Sequence, residues 1–104
     1  MTAQSLTIIN QLFEMQHKIN ELGHTAGFER NFNRLFSLFE TDGFIIQNPT
    51  GELYTDARTD CEASIVGTSS AKMKIIKTLK PVIYKKENGA VQLVQKAVVL
   101  VEKN

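Results

Sequence analysis

Apolar residues near the start of the chain recur at helical spacing. Ile8, Leu12, Met15, Ile19 and Leu22 are separated by 4, 3, 4 and 3 positions, the heptad seam of a helix that packs along a partner helix. This predicts a first helix from about Thr2 to Leu22. Ile9 and Phe13 widen its stripe as in a helix inside a bundle, while Asn10, Gln11, Glu14, Gln16, Lys18, Asn20 and Glu21 give a polar outer side. Glu14 and Lys18 are spaced as an i, i+4 ion pair. Gly23 stands where a helix ends, and Thr25 is placed to cap a second helix from about Ala26 to Thr41. There Phe28, Phe32, Leu35 and Phe39 repeat the 4, 3, 4 spacing, with Phe36 and Leu38 flanking.

After Asp42-Gly43 the period changes from helical to extended. Phe44–Gln47 reads as a short strand, Asn48-Pro49-Thr50-Gly51 as a turn and Leu53-Tyr54 as an extended piece. Thr55 to Asp60 is polar and reads as a loop. Glu62–Val66 reads as a strand and 67–71 as a tight connection. Two runs follow, Lys74 to Tyr84 and Val91 to Val101, flanking Lys85-Lys86-Glu87-Asn88-Gly89. Asn-Gly between β-branched runs predicts a hairpin, because both residues tolerate positive φ. Pro81 interrupts the first run at an edge or bulge. The second run lacks clean alternation from Ala97 to Val101, so it is expected as a central strand covered on both faces.

The expected fold is α+β: an N-terminal antiparallel helical hairpin, then a small all-β part of about five or six short strands. The division falls at Asp42-Gly43, with residues 1–42 for dimerisation and 43–104 for partner binding. One helical hairpin cannot cover two wide apolar stripes, whereas two hairpins form a four-helix bundle. A homodimer is therefore expected, with Ile8, Leu12, Met15, Ile19, Leu22, Phe28, Phe32, Leu35 and Phe39 at its interface. The aromatic residues, at helical spacing, read as core rather than as a ligand pocket.

Composition adds limits. The chain has 104 residues, 12 basic and 11 acidic, for a net charge of +1, with none of the basic excess that nucleic-acid binding asks for. Lys72, Lys74, Lys77, Lys80, Lys85 and Lys86 read as solvated strand faces and edge protection, or as a contact for an acidic partner. One cysteine, Cys61, excludes an internal disulfide, and no stretch is long and apolar enough to span a membrane. A reducing cytoplasmic setting is expected.

Catalytic chemistry is sparse. His17 and His24 have no cysteine or carboxylate at metal-ligand spacing. Cys61 lies between Asp60 and Glu62, which raise a thiol pKa rather than lower it. Asp56, Asp60 and Glu62, with Arg58 among them, read as loop charge or as a weak cation site. There is no Gly-rich phosphate loop and no nucleophile elbow. Neither an enzyme nor a cofactor is expected.

Two helices followed by Asp42-Gly43-Phe44-Ile45-Ile46, Asn48-Pro49-Thr50-Gly51-Glu52-Leu53-Tyr54, Glu62-Ala63, Ile75 to Tyr84 and Val94 to Val101 give a characteristic order of motifs. Over residues 8–103 this order resembles the C-terminal two thirds of GrpE, the nucleotide exchange factor of DnaK-type chaperones. Tyr54-Thr55-Asp56 stands for that family's Phe-Asp-Pro, Cys61 for its histidine and Gln95-Lys96-Ala97 for its closing Arg-Pro-Ala. The resemblance implies a dimeric four-helix bundle carrying a compact β domain that opens the chaperone's nucleotide cleft and releases ADP. It places partner contacts near Leu79, Gln92 and Val101. The family's central arginine has no counterpart, leaving Gln92 or a turn lysine in its place.

Overall fold

In a computed structural model the described residues are 2–104, with side chains described from Ala3. The described residues are mixed α+β: two helices followed by seven strands in two sheets.

Helix α1 spans Thr2–Glu21 and α2 spans Thr25–Thr41. Gly23, at φ 77°, closes α1. His24 N–H donates to Ile19 O and Gly23 N–H to Asn20 O, the paired bonds of a Schellman cap. Thr25 is not the expected cap. It is the first residue of α2, its hydroxyl donates to Asn20 Oδ1 at 2.6 Å, and His24 at the cap position makes no side-chain cap bond. The Glu14–Lys18 pair forms at 3.5 Å. Strand β1, Phe44–Gln47, follows through Gly43. Gly43 is held at φ 96°, and a Cβ there would lie 2.8 Å from Lys86 O. Only glycine lets α2 turn so tightly into the sheet.

The remaining strands are β2 (Leu53–Tyr54), β3 (Cys61–Val66), β4 (Met73–Lys80), β5 (Val82–Glu87), β6 (Ala90–Gln95) and β7 (Ala97–Lys103). The expected hairpin is present but longer and bent. Asn88 and Gly89, at φ 51° and 80°, turn β5 into β6 with the positive angles of a two-residue I′ turn. Each arm is broken once, at Pro81 and at Lys96, and changes sheet there. The outer halves join β1 in the antiparallel sheet β1-β5-β6; the inner halves lie in β2-β4-β7-β3. Splitting each arm accounts for seven strands where five or six were expected. Strand β3 runs parallel to β7, and the other pairs are antiparallel. Strand β7 is interior, as expected, but it does alternate: Ala97, Val99 and Val101 are fully buried, while Val98 and Leu100 are half-buried.

Two clusters of buried side chains result. The first joins Cys61, Met73, Ile75, Val82, Ala97, Val99 and Val101 between the sheets. The second joins Ile9 of α1, Phe44 and Ile83, with Leu6, Phe36, Phe39, Ile46 and Val94 packed around them. Alternation along β5 sends Val82 and Tyr84 to the first cluster and Ile83 to the second. The three-stranded sheet is thus the layer shared between the helices and the larger sheet. One polar joint crosses the same boundary. The amides of Asn10 and Gln95 exchange hydrogen bonds of 2.8 and 2.9 Å, and Gln95 also donates to Pro81 O at 2.9 Å, at the bend of the hairpin.

Candidate interaction surfaces

Each helix has more apolar positions than the chain covers. On α1 the residues facing inward are Ile9 and Phe13, while Ile8, Met15 and Leu22 of the seam are exposed and Leu12 and Ile19 are half-buried. At 3.6 residues per turn the seam and the Ile9/Phe13 line are separated by about a third of a turn. On α2, Phe28, Leu35 and Leu38 are exposed. Two residues expected at a dimer interface are used inside the chain. Phe32 is buried and stacks with Phe36 at 6.5 Å, and Phe39 meets Phe44 edge-on at 6.1 Å. The inward placement of Phe39 follows from β1 docking under α2.

The three positions expected to touch a partner do not share a surface. Leu79 is 46% exposed and lines a groove between α1 and β4 with Phe13, Glu14, His17 and Lys77. Gln92 is exposed on β6 in the other sheet. Val101 is a correction: it has no exposed surface and packs in the first cluster, because β7 turns every second side chain inward. No partner can touch its side chain.

The lysine run is also divided. Lys74, Lys77 and Lys80 pair with Glu102, Leu100 and Val98 and so share the outer face of the four-stranded sheet, while Ile76 and Leu79 fall at bulges. Lys85 is occupied elsewhere. Its ammonium lies 4.2 Å from the centre of the Phe44 ring, donates to Asp42 O and stands 3.8 Å from the Asp42 carboxylate, favourable placements at a helix C-terminus.

The acidic loop organises around Arg58. Its guanidinium donates to both oxygens of Asp60 at 2.6 and 3.2 Å, to Glu52 at 2.7 Å and to Leu53 O at 3.0 Å. The Asp60 carboxylate, read as a possible cation ligand, is thus already paired, and Arg58 holds its pKa below the usual carboxylate range. Among the described residues no cluster of three His, Cys, Asp or Glu is placed to hold a metal. Cys61 is buried, and this burial, opposed by Arg58 and reinforced by Asp60, pushes its thiol pKa up to about 11. It is therefore a neutral thiol near pH 7, and His24 lies exposed between the helices.

The Arg58 clamp and the Asn10–Gln95 joint were not anticipated. The arginine set among carboxylates was the available signal for the first. Nothing in the sequence marks the second, whose partners are 85 positions apart. No described helix is long and apolar enough to cross a membrane. Comparison of the chain with protein-family models, with curated proteins and with solved structures finds no match.

Proposed function

We propose that the protein is a homodimeric binding protein without catalytic chemistry of its own, and that it acts as a GrpE-like co-chaperone. In this reading the helical hairpins of two copies form a four-helix bundle, and the β part engages the nucleotide-binding domain of a DnaK-type chaperone and promotes ADP release.

The observation that carries the dimer is surplus surface. The chain exposes 6949 Å², about 1,100 Å² more than the roughly 5,900 Å² of a compact 11.7 kDa monomer. Its radius of gyration is 14.7 Å, against about 13 Å for a compact chain of this length. The surplus exceeds the about 800 Å² per partner of a standard interface. It coincides with exposed Ile8, Met15, Leu22, Phe28, Leu35 and Leu38. Support for the co-chaperone role comes from the motif order and from Leu79, an exposed apolar residue at a resembling position. Exchange would work by binding the open state of the chaperone more tightly than the closed one.

Release of a fluorescent ADP analogue from a DnaK-type chaperone tests the role. Acceleration that scales with dimer concentration and is lost in Leu79→Asp is the expected result. A folded dimer that leaves release unchanged overturns it. That outcome would favour a dimeric interaction module on the same scaffold without exchange activity, a reading to which the burial of Val101 lends weight.

A further inference from the structure

The edge of β6 is an open strand position whose pattern matches itself. The two-residue turn makes Glu87 and Ala90 the first hydrogen-bonded pair of the hairpin, so Lys85 and Gln92 are the next. The backbone N–H and C=O of Val91 and of Leu93 therefore point away from β5, out of the sheet. Consistently, Lys86, opposite Val91, sends its N–H the other way, to Gly43 O at 2.8 Å. No described strand lies along the outer side of β6. The side chains of Val91 and Leu93 are 53% and 40% exposed.

Charge and pattern both bear on what covers this edge. Strand β6 holds neither a charge nor a proline, the devices that ordinarily keep copies of an edge apart. The register shift at Val94 lies beyond the open segment. The nearest charges cancel: Lys86 and Lys96 stand against Glu87 and Asp60, and Asp60 is already bonded to Arg58. No net charge therefore selects an acidic or a basic strand. Leu93 pairs with Tyr84, which packs on the first cluster, so Leu93 and Val91 share that face, while Gln92, opposite Lys85, lies on the other. A two-fold axis normal to the sheet at Gln92 sets Val91 of each copy opposite Leu93 of the other and joins their outward N–H and C=O groups. The exposed aliphatic side chains then cover one another on one face, and the two Gln92 amides meet on the opposite face.

We propose that β6 pairs antiparallel with β6 of a second copy, centred on Gln92, so that the sheet β1-β5-β6 continues into β6-β5-β1 across the axis. Backbone pairing supplies the attachment, and the Val91–Leu93 contacts fix the register. This interface is separate from the helix faces that carry Met15 and Leu35, and it rests neither on the helical dimer nor on exchange activity. One strand edge covers less than the about 800 Å² per partner of a standard interface, which places the pairing in the weak, transient class. It fills at protein concentrations of about 1 mM rather than in the micromolar range.

The test is hydrogen exchange and NMR shifts of the full chain, recorded from about 20 μM to about 1 mM. Exchange at the Val91 and Leu93 amides should slow as concentration rises. It should do so equally in a Met15→Glu/Leu35→Glu chain, where helical contacts cannot produce it. Val91→Lys and Leu93→Glu, both exposed changes that leave the β5–β6 ladder in place, should each weaken the pairing about tenfold or more. Mixed one to one, the two variants should regain it, because the mixed pair sets the new ammonium opposite the new carboxylate and leaves Leu93 of one chain against Val91 of the other. Val91 and Leu93 amides that ignore concentration in the folded protein overturn the proposal and leave the edge to a strand of another protein. Slowing that both variants leave unchanged overturns it as well. So does pairing that each variant weakens and the mixture fails to restore.

Discussion

Ile75 and Ile9 are both fully buried, yet their surroundings differ. Ile75 sits between two sheets, with Val82, Val99 and Val101 equally enclosed. Ile9 lies against the three-stranded sheet under a cluster whose outer members, Leu6, Phe36, Phe39, Ile46 and Val94, are only partly covered. About a third of a turn around the same helix, Ile8 and Met15 face outward. A strand has two faces, and in this chain both faces of β5 are in use. A helix can carry more than one apolar stripe, and each helix here covers only part of its own. The difference locates where a single copy is self-sufficient and where it has apolar surface to spare.

The largest test of that contrast is truncation in each region. Ile75→Ala should destabilise the chain by about 3 kcal/mol through lost transfer energy and a residual cavity. Met15→Ala should cost about 0.5 kcal/mol or less in a monomer, because the side chain is half exposed. Urea midpoints of the two variants at low protein concentration measure both. Equal losses would mean that α1 is as enclosed as the sheets, and the contrast would fail.

At higher concentration the prediction sharpens. If two copies pair through the helices, Met15→Glu combined with Leu35→Glu buries charges that have no partner. The dimer dissociation constant should then rise about a hundredfold or more. Sedimentation or light scattering should show the wild type as a dimer and the variant as a monomer. The unfolding midpoint should depend on concentration in the first and not in the second. A wild type that stays monomeric would remove the dimer and leave the surplus surface to another partner.

How far the sequence discloses this architecture follows the range of the interaction involved. Helix ends at Gly23 and Asp42-Gly43, the Asn88-Gly89 turn and the interior place of β7 depend on neighbours in sequence, and they were legible. The break at Pro81 was legible as an edge or bulge, but the change of sheet there and the bend at Lys96 were not, since a β-branched run gives no sign of which half will pair with β1 and which with β3. Phe32 and Phe39 share the spacing of Phe28 and Leu35, so periodicity alone could not separate residues covered within the chain from residues left outward. Val101 was misplaced for a related reason. A match of motif order gives a position along the strand, but the face is decided by register against β4, where Ile75 pairs with Val101.

A smaller effect distinguishes the loop from both regions. Asp60 is ionised at lower pH in the folded chain than in the unfolded one, because Arg58 is bonded to it. A depressed folded pKa stabilises above the unfolded value of about 3.9 and loses that contribution as pH falls toward the folded value. Asp60→Asn should therefore cost about 1 kcal/mol at pH 7, in the range of a partly exposed bidentate pair. The gap between variant and wild type should close as the pH drops below about 4. A gap that persists unchanged at low pH would assign the loop's stability to packing rather than to the Arg58 clamp.

The smallest expected effect concerns the joint between the regions. Asn10 and Gln95 meet through both of their amides, and Gln95 also satisfies the carbonyl of Pro81. Deleting Gln95 leaves the Asn10 amide partly buried and unpaired, and deleting Asn10 leaves Gln95 with its bond to Pro81 O alone, so each single variant to Ala should cost more than half of what the double variant costs. The double-mutant cycle should return a coupling of about 0.5–1 kcal/mol. Hydrogen exchange gives the same cycle a spatial reading. If α1 is held to the sheets mainly by this pair and the Ile9 cluster, Gln95→Ala should speed exchange in α1 and at the bend while leaving β3, β4 and β7 protected. Equal loss of protection in all of them would mean that the helices and the larger sheet open as one unit, and that uneven covering of their apolar faces has no counterpart in uneven stability.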